Sequence, residues 1–405
     1  MLEHGMFSRR SHVPEEETSL SRAFRDAKRE AHRGDRMLAD LTQSNPTLVG
    51  LDLPEQEVLE ALQDPRIMGY RPSPFGEQEA RCAVADELGR CWEDVVLTSS
   101  TSESYAALLT LLCDPGDRVL IPNPGYPLIA VLIKNLGLVP VPYPVCWDGQ
   151  WHIPELAHSL MTGARCLIVV SPNNPTGNYL KRDELDMLMN LGIPLIVDEV
   201  FQDYLLDLGV PPLSGPSAVR ANAKTAKMRN PSAAESVEEG LVFRLGGLSK
   251  YCGFPQFKLA WIQVGGAKSI TQSALQKLEH ILDAQLTISA PVLWGARALL
   301  SAGRNVRAQI QTRITQNLLS LLHAIRNANT VEVRVPEGGW NATLRVPATH
   351  TEEAWCTMFL ANGVCVHPGF YYDFAGEGYF VLSLLAREKE FTQGIQRLVN
   401  TVEGR

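Results

Sequence analysis

From about residue 95 to residue 261 the chain alternates short apolar runs with stretches of helical periodicity. The runs at 95–97, 118–121, 139–145, 166–170, 195–197, 241–245 and 259–264 read as strands, and helical spacing recurs at 102–112, 128–135, 181–190 and, after the last strand, 269–284. This alternation predicts an α/β fold with a mostly parallel central sheet covered by helices. Beyond Pro291 the texture changes to helices at 292–302 and 307–327, strands around 331–346 and 379–384, and a closing helix, which predicts a smaller α+β domain. The expected division is an N-terminal arm at 1–39, a large domain at 40–288 and a small domain at 289–405. Residues 211–240, rich in Pro, Ser, Ala and charge, interrupt the large domain; a segment of this length is expected to be a surface excursion, either a tolerated insertion or a lid. No internal repeat is visible.

At 405 residues and 45% apolar content the chain can bury a large core and a second domain. Its 37 basic and 45 acidic residues give a net charge of −8 without a basic run or aromatic-interleaved stripe, so nucleic acid is not an expected partner. Eight cysteines (Cys82, Cys91, Cys113, Cys146, Cys166, Cys252, Cys356 and Cys365) show no Cys-x-x-Cys spacing and no neighbouring histidines. Neither a zinc site nor a disulfide framework is indicated, and a reduced, cytoplasmic setting is expected. No apolar stretch reaches membrane-spanning length, and the polar start, with Arg9, Arg10 and Glu15 to Glu17, lacks the apolar stretch of a signal peptide, so neither a membrane nor a targeting segment is expected.

The candidate chemistry centres on Lys250, which follows the strand Val242-Phe243-Arg244-Leu245-Gly246. A lysine there, downstream of an Asn-Pro-Thr-Gly turn and of a strand ending in Asp198, suits an enzyme of pyridoxal 5′-phosphate, which needs an amine for its aldehyde, an acid to hold the ring nitrogen protonated and a phosphate site. Lys250 would form the Schiff base and later act as base. Asp198 would face the pyridinium nitrogen, although an aspartate ending a strand is as readily a cap or turn residue. Ser100, Thr101 and Ser102, between a strand and a helix, would present backbone N–H groups to phosphate, or simply cap the helix. Tyr126 could stack on the ring and Asn174 donate to the phenolic oxygen; packing and turn chemistry are their plainer readings. His367 reads as structural. The placement of these residues at strand ends fits a ligand in the crevice outside the carboxyl edge of the sheet.

Together these motifs resemble the fold type I, class I/II aminotransferases from Asp40 onward. Asp40-Leu41-Thr42-Gln43-Ser44-Asn45-Pro46 is similar to that family's substrate-side motif, and Tyr70-Arg71-Pro72-Ser73-Pro74-Phe75-Gly76 to its tyrosine-to-glycine segment. The resemblance implies Lys250 for the Schiff base, Asp198 for the ring nitrogen, Tyr126 for stacking, Asn174 for the Asn-Pro-Thr-Gly asparagine and Ser249 for the serine preceding the lysine. It also implies a homodimer in which Tyr70 reaches the phosphate of the neighbouring site.

Three positions depart from the family pattern. Lys258 stands where a phosphate-binding arginine is usual, which keeps the charge and loses the bidentate geometry. Phe201 replaces a tyrosine that donates to the phenolic oxygen, which implies a raised Schiff-base pKa. Val381 occupies the place of the arginine that grips the substrate carboxylate, so either another cation, Arg387 or Arg345, takes over or the substrate lacks that group. The leading expectation is an aminotransferase passing an amino group from a small-molecule amino donor to a carbonyl acceptor by ping-pong half-reactions. The alternatives are a lyase, decarboxylase or carbon–carbon bond former on the same cofactor, and a non-catalytic regulator, for which the roughly 40 residues before Asp40 leave too little room for a DNA-binding domain.

Overall fold

The computed structural model describes residues 8, 10, 18–207 and 239–405. Apart from Glu239 and Gly240, the expected excursion at 211–240 lies outside the described residues. In chain order the first half contains α1 (Ser19–Arg33), β1 (Ala39–Asp40), α2 (Glu55–Ala61), α3 (Gln78–Leu88), β2 (Val95–Thr98), α4 (Thr101–Leu112), β3 (Arg118–Asn123), α5 (Pro127–Asn135), β4 (Val139–Pro144), β5 (Cys146–Trp147), β6 (Trp151–His152), α6 (His158–Met161), β7 (Ala164–Val170), α7 (Arg182–Met189) and β8 (Leu195–Asp198). It continues with β9 (Leu241–Gly247), α8 (Leu248–Tyr251), β10 (Ala260–Gly266), α9 (Lys268–Asp283), α10 (Ala290–Ile325), β11 (Glu332–Arg334), β12 (Asn341–Arg345), α11 (Glu352–Ala361), β13 (Val364–Cys365), β14 (His367–Pro368), β15 (Tyr379–Ser383) and α12 (Glu388–Glu403).

The apolar runs form a seven-stranded sheet in the order β2-β10-β9-β8-β7-β3-β4. The reversed strand is β10, antiparallel to both β2 and β9, while the other neighbouring pairs are parallel. Strands β7 to β9 are buried almost throughout, as strands covered on both faces must be. One face packs on α4, α5 and α9 through Leu108, Ile133 and Leu278. The other packs through Tyr143, Leu185 and Val197. A four-stranded sheet, β11-β12-β15-β14, forms a second layered unit with α11 and α12.

Two local readings change. Within the stretch expected to be an arm, Leu20, Phe24 and Ala27 recur on one helical face and are buried, with Thr18 and Gly34 capping the ends, so α1 is a docked amphipathic helix. The helices expected at 292–302 and 307–327 are one 36-residue helix. Gly303 does not end it; a Cβ there would lie 2.3 Å from Sγ of Cys252, so the glycine permits close approach of α8. The strands expected around 331–346 are β11 and β12, which pair antiparallel.

Candidate active site

Asp198 closes β8, and the register Val170↔Asp198 and Asp198↔Leu245 aligns the carboxyl ends of β7, β8 and β9. β9 passes directly into α8, so Lys250 leaves the neighbouring strand end one helical turn later. The Asp198 carboxylate is buried and anchored twice: Val200 N–H donates to Oδ1 (3.2 Å) and the Tyr105 hydroxyl to Oδ2 (2.8 Å). Burial raises its pKa, opposed by those two hydrogen bonds and by the charge of Lys250. Burial lowers the pKa of Lys250, partly offset by Asp198. Lys250 Nζ lies 5.0 Å from the Trp340 ring centroid and 5.7 Å from that of Phe201, and makes no side-chain hydrogen bond or ion pair among the described residues. The Tyr204 hydroxyl donates to the Lys250 backbone carbonyl, fixing the turn that carries the amine.

Helix α4 starts beside this pair. Ser100 caps it by accepting from the N–H of Glu103 (3.2 Å), and the Glu103 carboxylate binds Ser99 N–H and the Thr287 hydroxyl. Thr101 and Ser102 open the helix, where the N–H groups have no intrahelical acceptor and the dipole favours an anion. Ala260 pairs with Thr98, so the chain at Lys258 enters beside the same end of β2, with Lys258 exposed in a left-handed turn (φ 52°).

The small sheet meets the site through the turn at 173–178. Asn341 on β12 donates from Nδ2 to Oδ1 of Asn174 (2.8 Å), and the Thr343 hydroxyl reaches the carbonyl of Pro175 (3.4 Å). Thr343, Val381 and His367 are cross-strand partners and share that face. Val381 is only 1% exposed and packs in the same cluster as Tyr372 and Phe374. His367 Nδ1 contacts the Tyr372 hydroxyl (3.0 Å), and burial, with the charge of Lys28, lowers its pKa to about 4. Neither arginine suggested as a substitute clamp makes its contacts there: Arg345 is exposed over the Tyr379 ring, and Arg387 lies against Gly50.

Of the other expected residues, Tyr126 precedes α5, is 44% exposed, and feels the charge of Asp198. Ser249 neighbours Lys250 on α8. Tyr70 is not brought to the site within this chain. It is 82% exposed and lines a surface groove with Arg71, Glu103, Thr287 and Trp294, to which Lys250 and Asp198 do not contribute. Sequence reasoning missed Tyr105, Tyr204, Trp340 and Asn341. Only Tyr105 carried a signal: a phenol on the apolar face of a helix needs a polar partner.

The family model for aminotransferase class I and II matches residues 38–398, and the chain belongs to that family, whose members depend on pyridoxal phosphate. It is similar to human tyrosine aminotransferase, at 24% identity over 302 residues (70% of this chain and 60% of that protein). It is also similar to LL-diaminopimelate aminotransferase of Desulforudis audaxviator, at 27% over 342 residues (81% of each). The chain thus spans about 60% of the length of the human relative. Among solved structures it superposes on alanine aminotransferase from Pyrococcus furiosus with a TM-score of 0.82 at 18% identity, covering 98% of this chain and 100% of that one, which shows the fold. The residues present suit the cofactor: a buried amine without a hydrogen-bond partner among the described residues, a buried anchored carboxylate, and the open start of a helix.

Proposed function

We propose that this protein is an aminotransferase that moves an amino group from an amino acid or amine to a 2-oxo acid or other carbonyl acceptor in two half-reactions. The observation that carries this reading is the convergence of the Lys250 amine and the Asp198 carboxylate at adjacent strand ends, each feeling the other's charge. Bound there, pyridoxal phosphate supplies an aldehyde that captures amines and a ring that withdraws electrons from the carbon bearing them. Lys250 would hold it covalently, Asp198 would keep a proton on the ring nitrogen, Tyr126 would cover the ring, and Asn174 would donate from Nδ2, since its Oδ1 is engaged by Asn341. Ser100, Thr101, Ser102, Ser249 and Lys258 would bind the phosphate.

Nζ of Lys250 would also serve as the base that moves the proton at the substrate Cα. Its lowered pKa leaves more of the neutral base available near neutral pH. The aromatic wall of Phe201 and Trp340 limits water around that nitrogen. Exposed Tyr70 and its groove support a homodimer in which Tyr70 completes the partner's phosphate site. Among the described residues no helix is long and apolar enough to cross a membrane, which is compatible with the cytoplasmic location proposed.

Buried Val381 favours a second reading, in which the same site runs a lyase, decarboxylase or carbon–carbon bond-forming reaction. Incubating the loaded protein with amino acids and amines, without acceptor, separates the two. Recovery of pyridoxamine phosphate with an equivalent of carbonyl product supports the aminotransferase. Product with the cofactor recovered as pyridoxal phosphate supports the second reading.

A further inference from the structure

We propose that Tyr105 is the positioning residue of Asp198, holding its carboxylate ionised and in one orientation through the phenol on Oδ2. The hydroxyl lies 2.8 Å from Oδ2, and both side chains are buried. Burial pushes the phenol well above its ordinary pKa, so Tyr105 stays protonated and can only donate to an anion here. Asp198 lacks a cation within ion-pair distance among the described residues; its anchors are this phenol and the N–H of Val200. A buried carboxylate with so few partners drifts toward its neutral form, and losing one donor moves it further.

The placement also couples two parts of the site. Tyr105 lies one turn into α4, the helix whose first residues form the phosphate cradle. One rigid element therefore fixes both the cradle and the acid that would face the ring nitrogen, and sets the distance between them. The other titratable groups facing Asp198 are Lys250 from α8 and Tyr126 from the start of α5, with Glu199 next in sequence; Tyr143 from β4 faces Tyr105. Glu199 is paired with Arg244, and the tyrosines are uncharged, so Tyr105, the Val200 N–H and the charge of Lys250 hold Asp198 ionised.

The inference rests on the cofactor and not on which reaction follows, and its test is cofactor affinity. In Tyr105→Phe, pyridoxal phosphate should bind about tenfold to a hundredfold more weakly, as expected on losing a hydrogen bond to a charged group. The loss of binding on acidification should begin at higher pH than in wild type. In an Asp198→Asn background Tyr105→Phe should add little, because the anion it serves is gone. Tyr105→Gln, which keeps a donor, should recover part of the affinity, and Tyr105→Met, which also removes the donor, replaces the phenylalanine variant should that fail to fold. Wild-type affinity and pH profile in Tyr105→Phe, or a deficit that simply adds to that of Asp198→Asn, would overturn the proposal. Failure of wild-type protein to bind pyridoxal phosphate would instead overturn the cofactor reading beneath it.

Discussion

Val381 and His367 are cross-strand partners, and their shared face, with Thr343, meets the turn that holds Asn174. Where the family pattern puts a long cation, the sheet presents an apolar side chain beside a histidine whose pKa is about 4, neutral at physiological pH. A carboxylate placed here would find hydrogen-bond donors and no guanidinium from this strand. Val381→Arg should tighten binding of simple carboxylate ligands, read by spectral titration of the loaded protein, by about tenfold or more. It should also destabilise the protein by about 1–3 kcal/mol through overpacking among Tyr372 and Phe374. Unchanged carboxylate affinity in a folded variant would show that this face does not contact the substrate carboxylate.

His367 also makes stability depend on pH. Its folded pKa, about 4, lies below the unfolded value of 6.5, so the unfolded chain binds protons more tightly and stability falls as pH drops from about 6.5 toward 4. The full effect is at most about 3 kcal/mol. His367→Gln should flatten this limb of unfolding free energy in the cofactor-free protein. An acid limb identical to wild type would assign it to other groups.

Phe201 faces Lys250 Nζ at 5.7 Å without a hydroxyl to offer. Phe201→Tyr should lower the pH midpoint of the visible band of the loaded protein, because a phenol able to donate to the phenolic oxygen stabilises its anionic form. A midpoint equal to that of wild type would refute the role assigned to this position.

Gly177 adopts φ 75°, and a Cβ there would stand 2.3 Å from Cβ of Pro336 and 2.8 Å from the carbonyl of Gly338. Gly177→Ala should therefore cost about 1–3 kcal/mol in denaturant unfolding and loosen the turn bearing Asn174, weakening cofactor binding. Wild-type stability would mean that this junction has slack.

The large sheet was legible because its strands are bounded apolar runs, and Asp198 and Lys250 were legible because each ends or follows one. Contacts between distant segments were not. Nothing local says that Gly303 lets α10 approach Cys252, that sparse Leu20, Phe24 and Ala27 dock a charged helix, or that Asn341 meets Asn174 across 167 positions. Tyr105 is intermediate: the buried face of α4 shows that its hydroxyl needs a partner, while only the fold supplies Asp198.

The most direct test of the account is borohydride reduction of the pyridoxal phosphate-loaded protein followed by peptide mass mapping. The phosphopyridoxyl group should be found on Lys250, with no labelling in Lys250→Ala. Stable labelling of another lysine, or none in protein that binds the cofactor, would contradict it.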